Sequence, residues 1–373
     1  MHENRRIRVL IVDDSAIVRK ILSEALSAEP DLEVVGTAPD PFVARDKILA
    51  LKPDVLTLDI EMPRMDGLTF LRKLMHFHPL PAVVISSLAH TSCQTAIQAM
   101  ELGAVEVLAK PGGPYSVGEL KNTLAAKVRA AGCARLRRVE PKALPLPGND
   151  RAPTFGSPAS AAVPISPEVP LRSSLPTGTV IAIGASTGGT EAISAVLTKL
   201  PKDSPPIVIA QHIPPVFSKA FANRLNETCA VEVREAEDND LLRPGLCLVA
   251  PGDFHMLLRS VGGAYRVSVK TGPRVCYQRP SVDVLFTSVA ETANSAAVAV
   301  LLTGMGSDGA QGLFKLRKCG AHTIAQDETT CVVYGMPREA VQLGAAIQVL
   351  PLTGIAAAIL ASKRSTAKAA AGQ

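Results

Sequence analysis

Short apolar runs alternate with longer amphipathic segments over residues 8–130. The runs at 8–12, 33–36, 55–58, 82–86 and 105–109 have strand length and are rich in β-branched side chains. Segments such as 16–28, 41–50 and 68–76 have helix length. Because βα repeats require crossover connections, the pattern predicts a (βα)5 doubly wound domain with a parallel sheet between two helical layers.

Regular structure is predicted to resume near residue 178. Strand-like runs lie at 179–183, 206–210, 247–250, 266–270 and 297–302. They predict a second α/β domain, doubly wound and mostly parallel. Nine prolines lie within residues 141–176, where no hydrophobic period persists, which indicates a semi-extended linker. We therefore expect domains at 1–130 and 178–362, a linker at 131–177 and a frayed tail at 363–373.

Composition excludes several classes of protein. The chain has 373 residues, of which 47% are hydrophobic and 3% aromatic, which suits sheets buried beneath helices. Its net charge of +5 resides in the basic stretch 127–172, so both domains are about neutral and we expect no nucleic-acid partner. No apolar run is long enough for membrane insertion and no signal peptide is evident, which predicts a cytoplasmic protein. We expect a monomer, with seven scattered cysteines as free thiols.

Charged and hydroxyl side chains end several strands of the first predicted domain. Asp13 and Asp14 follow the first strand, Asp59 ends the third, Ser86 ends the fourth and Lys110 follows the fifth. These positions share the carboxyl edge of a parallel sheet, where ligands bind. Carboxylates brought together there repel one another unless a cation neutralises them, and oxygen ligands suit Mg²⁺. The pattern predicts a magnesium and phosphoryl site.

These residues resemble the response-regulator receiver family. The matching motifs are Val12-Asp13-Asp14-Ser15, the segment 58–67 (LDIEMPRMDG) and Lys110-Pro111. The resemblance implies that Asp59 accepts a phosphoryl group and that Ser86 and Lys110 sense it. It also implies that Asp13, Asp14, Asp59 and the backbone carbonyl of Glu61 hold Mg²⁺.

The second domain begins with a strand that runs into Gly184-Ala185-Ser186-Thr187-Gly188-Gly189. This is the G-x-S-x-G pattern, which exposes a serine hydroxyl on a strand-to-helix turn. A nucleotide-binding loop is a weaker interpretation, because the lysine of the phosphate-binding motif is absent. A nucleophilic Ser186 needs a base and an orienting acid. The residue patterns alone leave His212 and His255 open as the base, and Asp308 and Asp283 as the acid.

Taken together, the motifs at 184–189, 211–215, 250–255, 279–283 and 304–309 resemble the catalytic domain of the CheB family of chemotaxis protein-glutamate methylesterases. The resemblance implies Ser186 as nucleophile, His212 as base and Asp308 as orienting acid, with oxyanion donors near Thr187 and Met305. It implies hydrolysis of receptor γ-glutamyl methyl esters and deamidation of receptor glutamines, with no cofactor for the ester chemistry.

The implied partners are methyl-accepting chemoreceptors as substrate and a CheA-type histidine kinase as phosphodonor. Phosphorylation of Asp59 is then expected to weaken docking of the first domain over Ser186. Two alternatives remain open at this stage. One is a non-catalytic response regulator whose second domain only binds receptors, and the other is an esterase that serves a non-chemotactic receptor array.

Overall fold

A computed structural model describes residues 5–87, 90–110, 116–136, 175 and 178–362. Most of the predicted linker and the whole predicted tail therefore lie outside the described residues. Two parallel sheets organise the rest of the chain, one in each half. The fold class predicted from the sequence, two doubly wound α/β domains of which the second is mostly parallel, is confirmed.

The first sheet has five parallel strands in the order β2-β1-β3-β4-β5. Its strands and helices alternate along the chain: β1 (Ile7–Val12), α1 (Ala16–Ser27), β2 (Leu32–Ala38), α2 (Pro41–Leu51), β3 (Val55–Asp59), α3 (Gly67–Phe77), β4 (Ala82–Ser86), α4 (His90–Glu101), β5 (Glu106–Ala109) and α5 (Ser116–Gly132). Strands β3 and β4 are buried along their whole length, as expected for a sheet covered by helices on both faces.

The second sheet has seven parallel strands in the order β14-β13-β12-β6-β7-β9-β8. Its strands are β6 (Val180–Ala185), β7 (Ile207–Gln211), β8 (Glu232–Glu235), β9 (Leu246–Val249), β12 (Ala297–Leu301), β13 (His322–Gln326) and β14 (Gln348–Leu350). The chain extends the sheet on one side of β6 as far as β9, and then continues on the other side with β12. The strand order therefore reverses between β6 and β12, which is where doubly wound sheets bind ligands.

Helices and one hairpin complete the second domain. The helices are α6 (Gly189–Leu197), α7 (Pro215–Thr228), α8 (Val282–Ala293), α9 (Ala310–Lys318), α10 (Met336–Gln342) and α11 (Leu352–Ala361), and the antiparallel hairpin pairs β10 (His255–Val261) with β11 (Ala264–Lys270). The predicted strand at 266–270 belongs to this hairpin. It therefore lies outside the parallel sheet.

Four strands, β8, β10, β13 and β14, have no counterpart in the sequence prediction. Strand β8 lies at a sheet edge and has the sequence EVRE, and β14, at the other edge, has only three residues. Strand β13 is central, but two of its buried positions are Thr323 and Gln326, whose polar groups are hydrogen-bonded inside the protein. An apolar pattern misses such strands, because their pairing partners stabilise them rather than their own hydrophobicity.

The two domains are in contact. Helix α4 packs against α6 and α7, and Arg224 of α7 forms an ion pair with Glu101 of α4, with 2.6 Å between Nε and Oε1. Three residues beyond α5, Arg135 donates its backbone N–H to the Val332 carbonyl at 2.9 Å and its guanidinium pairs with Glu328 at 2.7 Å. In the described part of the chain, no helix has the length and apolar character required to span a bilayer.

Replacing Phe286 by alanine is expected to destabilise the second domain. Phe286 is fully buried in α8, and truncating a buried phenylalanine costs about 3–5 kcal/mol through lost burial and the cavity left behind. Denaturant unfolding of the full chain measures the loss. Phe77→Ala is the control, since that ring is 78% exposed and should change stability by less than about 0.5 kcal/mol. Equal effects of the two substitutions would contradict this account.

Candidate functional site

Three strand ends of the second sheet bring Ser186, His212 and Asp308 to one edge. Ser186 directly follows β6 and His212 directly follows β7, while Asp308 lies in the loop between β12 and α9. The backbone joins these segments, since Ser186 N–H donates to the Thr303 carbonyl at 3.0 Å and His212 N–H donates to the Ala185 carbonyl at 3.1 Å. All three side chains are at least 95% buried.

Close packing fixes the turn that carries Ser186. Gly188 has a φ of 72°, and a Cβ on Gly189 would lie 2.1 Å from the Gln211 side-chain oxygen. A Cβ on Gly304 would lie 2.6 Å from the Ser186 Cβ. Only glycine tolerates these approaches without rearrangement. The sequence motif therefore encodes a turn that holds the Ser186 backbone directly against the loop that follows β12.

The carboxylate of Asp308 is saturated with hydrogen bonds at the start of α8. It accepts from the Ser281 hydroxyl at 2.8 Å and from the N–H groups of Val282 and Asp283 at 2.7 and 3.0 Å. Its Oδ2 also lies 2.8 Å from His212 Nε2. Burial alone would raise the pKa of Asp308, but hydrogen bonding to His212 and the helix-terminal donors lower it below the usual value. The group is thus held as a carboxylate.

His212 has one nitrogen engaged and one free. Ionised Asp308 can only accept a hydrogen bond from His212 Nε2. The neutral His212 ring therefore carries its proton on Nε2 and its lone pair on Nδ1. Nδ1 is buried and has no hydrogen-bond partner among the described residues. Neighbouring Gln211 donates its amide to the Ser186 carbonyl at 2.9 Å, which ties the histidine segment to the serine turn. The ring therefore presents an available base.

The two rival candidates from the sequence have other contacts. His255 uses both nitrogens, since Nε2 lies 2.9 Å from the Pro273 carbonyl and Nδ1 accepts from Ser281 N–H at 3.2 Å. Asp283 accepts from the Gly312 N–H at 2.6 Å, and burial, the largest influence, raises the pKa of its carboxyl group. Asp308, by contrast, pairs with a histidine that has a free nitrogen. The geometry thus favours His212 and Asp308.

Thr187 lies within the turn that carries Ser186, directly after it, and Met305 follows the Thr303-Gly304 segment. Among the described residues, no backbone carbonyl accepts a hydrogen bond from either N–H. The Gly304 N–H is already used, because it donates to the Val333 carbonyl at 3.1 Å. Two uncommitted donors beside Ser186 are what an oxyanion site requires.

A second cluster lies at the carboxyl edge of the first sheet. The Lys110 ammonium lies 2.7 Å from an oxygen of Asp59 and 3.6 Å from one of Asp13. Oxygen atoms of Asp13, Asp14 and Asp59 all lie within 4.8 Å of one another. Burial, above all, and the neighbouring Asp13 raise the pKa of Asp59 to about 6, against the opposing effect of Lys110. Three carboxylates therefore lie close together beside a single ammonium group.

The donor set of this cluster fits a divalent cation. Three carboxylates offer hard oxygen ligands, and one buried oxygen of Asp13 has no hydrogen-bond partner among the described residues. Asp14 is exposed, so the cluster is accessible to solvent on that side. Glu61 lies two residues after Asp59 and donates its backbone N–H to an Asp59 oxygen at 3.1 Å. Ser86 is buried at the end of β4, one residue beyond the register partner of Asp59.

Sequence reasoning missed the residues that support the Ser-His-Asp cluster. Ser281 is the N-cap of α8, where its hydroxyl also bonds Asp308, and Gln211 braces the serine turn. A serine just before a helix was the available signal for Ser281. Gln211 gave no comparable signal, because its role depends on the neighbouring strand.

The sheet order and the two clusters define the class of protein: a five-stranded α/β domain with a carboxylate–lysine cluster, joined to a second α/β domain with a Ser-His-Asp cluster. Two family models match the chain, "Response regulator receiver domain" over residues 9–122 and "CheB methylesterase" over residues 181–359. The chain belongs to the CheB family of two-domain protein-glutamate methylesterase/protein-glutamine glutaminase proteins, as its similarity to full-length relatives establishes.

Two such relatives carry the name protein-glutamate methylesterase/protein-glutamine glutaminase 2. The one from Syntrophus aciditrophicus is 53% identical and covers 94% of this chain and 97% of its own length. The one from Rhodospirillum rubrum is also 53% identical, with 95% and 98% covered. Among solved structures, the Thermotoga maritima CheB methylesterase catalytic domain is 40% identical over 49% of this chain and 98% of its own, with a TM-score of 0.48.

Asp59→Asn is expected to stabilise the first domain at neutral pH without divalent cations. The folded protein retains the Asp59 proton up to about pH 6, whereas the unfolded chain releases it near 3.8. The free energy of unfolding therefore falls as pH rises between these values, and asparagine removes a penalty of roughly 1–3 kcal/mol. The stability difference between Asp59→Asn and wild type should vanish below pH 3.8, where Asp59 is protonated in both the folded and the unfolded chain. Thermal unfolding across pH, with a chelator present, measures it.

Asp31→Asn provides a control of opposite sign. Its hydrogen bond with Arg129 lowers the pKa of Asp31, so its stabilisation is present above the ordinary value and is lost as pH falls. That substitution should reduce stability at neutral pH and have less effect in acid. An Asp59→Asn protein that is no more stable than wild type at neutral pH would contradict the argument.

Proposed function

We propose that this chain hydrolyses γ-glutamyl methyl esters on chemoreceptors and deamidates receptor glutamines, under control of phosphorylation at Asp59. The contact that carries the proposal is the buried His212–Asp308 pair at 2.8 Å, which leaves Nδ1 of His212 without a partner among the described residues, at the sheet edge that also carries Ser186. A neutral imidazole oriented by a carboxylate is the base that a serine nucleophile requires. The family to which the chain belongs supplies the substrate class.

In the first half-reaction, Ser186 Oγ attacks the ester carbonyl while His212 Nδ1 accepts the hydroxyl proton. Asp308 stabilises the imidazolium that forms, because its carboxylate is already charged and fixed by the α8 terminus. The backbone N–H groups of Thr187 and Met305 donate to the oxyanion of the tetrahedral intermediate. The intermediate collapses, and His212 returns the proton to the departing methoxide, which leaves as methanol.

In the second half-reaction, water hydrolyses the acyl enzyme. His212 takes a proton from the water as it attacks, and it then protonates Ser186 Oγ as the glutamyl carboxylic acid is released, which loses its proton to solvent. A glutamine substrate follows the same steps with ammonia as the leaving group. No part of this sequence requires a cofactor in the second domain.

The receiver site acts as the control element. Asp59 is the phosphoryl acceptor, and the carboxylates of Asp13, Asp14 and Asp59, with the Glu61 carbonyl, would hold Mg²⁺. The cation, when bound, would neutralise charge on the transferring phosphoryl group. Lys110 now pairs with Asp59, so its ammonium is placed to follow the phosphoryl oxygens, with the Ser86 hydroxyl as a second sensor.

Val332 provides a physical route between the domains. Its side chain packs against the apolar cluster of the first domain, and it lies so close to Gly188 that a Cβ there would meet it at 2.5 Å. Its carbonyl also accepts from Arg135 at the end of α5. A cleft lined by Cys133, Arg135 and Met305 adjoins this contact. Movement of the first domain would therefore change the packing of the turn that carries Ser186 and the opening of the cleft beside it.

The organism's cytoplasm is the proposed location, since a CheA-type histidine kinase and the receptors' signalling regions meet there. The regulated unit comprises a switch at 1–130 and an esterase at 178–362, joined by the segment 131–177. The protein acts as a monomer in this scheme, because both sites are complete within one chain.

Methanol release from methylated receptor tests the proposal. A small acyl phosphate with Mg²⁺ should stimulate release by the wild type. Ser186→Ala should reduce release by about 10⁴-fold or more, as loss of a triad member does elsewhere. Asp59→Asn should retain basal release and lose the stimulation. Absence of Ser186-dependent release from wild type under both conditions would refute the esterase assignment.

Arg224→Glu tests the domain contact. Glutamate at this position faces Glu101 and replaces an attraction by a repulsion, so donor-independent release should rise roughly three- to tenfold. Adding Glu101→Arg restores the pair and should return the rate to the wild-type value. Arg45→Glu, an exposed change on α2, is the matched control. An unchanged basal rate in Arg224→Glu would show that this contact does not restrain the enzyme.

A further inference from the structure

A tight turn beside the esterase site adopts an unfavourable backbone conformation. Val275 and Gln278 exchange backbone hydrogen bonds at 3.1 and 2.9 Å, so only two residues form the turn between them. Those residues, Cys276 and Tyr277, have φ values of 50° and 64°. Turns of this kind favour asparagine and glycine, since the Cβ of other residues is disfavoured at positive φ. The sequence is therefore not optimised for turn stability.

The side chain of Tyr277 contributes little to the folded protein. It is 92% exposed, more than any other large hydrophobic residue in the described part of the chain. The base of the turn, however, is firmly held. Arg279 donates to Asp253 at 2.7 Å and Arg274 donates to the same oxygen at 3.3 Å, so one carboxylate joins the two flanks. The turn thus holds an exposed aromatic ring on a strained backbone whose base is fixed by ion pairs.

This turn adjoins the catalytic loop. The sulfur of Cys276 lies within 4.8 Å of carboxylate oxygens of both Asp283 and Asp308, and its thiol also contacts Ser307. Residues 305–307 are the exposed portion of the loop that carries Asp308. Tyr277 therefore stands at the outer rim of the cluster formed by Ser186, His212 and Asp308, on the side of Asp308.

We propose that Tyr277 determines specificity by contacting the receptor polypeptide that flanks the ester. The inference rests on the function proposed above. The ester group itself occupies only the space around Ser186, so the remainder of a protein substrate must lie on the rim. Backbone strain is retained where function requires it, and a rigid exposed aromatic ring is the side chain that most often dominates a protein contact. Tyr277 acts on polypeptide binding and takes no part in the chemistry.

The test compares full-length wild type, Tyr277→Gly and Tyr277→Phe in the presence of Mg²⁺ and an acyl phosphate. Glycine relieves the positive φ, so Tyr277→Gly should have an unchanged or higher melting temperature. Its kcat/KM for methanol release from methylated receptor should nevertheless fall about tenfold, mainly through a higher KM. Tyr277→Phe keeps the ring and should stay close to wild type.

A second readout separates binding from chemistry. The rate at which a small fluorophosphonate labels Ser186 reports the catalytic cluster without any receptor contact, and it should be equal in all three proteins. Phe77→Ala, which removes an exposed ring from α3, is the control for a general effect of lost surface aromatics. Receptor turnover that is unchanged in Tyr277→Gly, or labelling that falls in parallel with turnover, overturns the inference. Wild type that labels normally but releases no methanol would instead refute the proposed function.

Discussion

The second domain depends on one buried charge, the carboxylate of Asp308. An ionised group with almost no exposure is stable only when its charge is matched, and here the start of α8, the Ser281 hydroxyl and His212 together supply four hydrogen bonds. These contacts join the loop after β12, a helix that packs on the sheet, and the end of β7. The same interaction therefore fixes the local fold and sets the tautomer of the proposed base.

The first domain has the opposite electrostatic condition. Burial, above all, raises the pKa of both Asp13 and Asp59, and the single Lys110 ammonium opposes this shift without cancelling it. A site in this condition gains from any added cation or from conversion of one carboxylate to a phosphoryl group that Lys110 reaches. The uncompensated charge makes this site responsive to a bound cation or a phosphoryl group. The Asp308 carboxylate, whose hydrogen bonds are all made, instead favours one fixed arrangement.

The contact between domains links the first domain to the turn that carries Ser186. Val332 lies between the apolar cluster of the first domain and Gly188 of the serine turn, and its carbonyl accepts from Arg135. Arg224 and Glu101 form a separate ion pair between α7 and α4. The ion pairs are exposed and therefore individually weak, whereas buried apolar residues of α4 and α7, such as Met100 and Phe221, belong to one continuous hydrophobic cluster that spans both domains. The docked arrangement therefore rests on apolar packing as well as on these ion pairs.

The sequence alone determined the two doubly wound sheets, because short β-branched runs separated by helix-length segments admit few other arrangements. It also marked the strand-end residues of both sites, through motifs that topology brings to one edge. The residue patterns alone left the choice open between His212 and His255 and between Asp308 and Asp283, and only the resemblance to the CheB family implied an answer. A serine before a helix was the one signal for Ser281, and nothing marked the strained turn at Tyr277. Those choices depend on hydrogen bonds between segments distant in the chain, which only the folded backbone brings within reach.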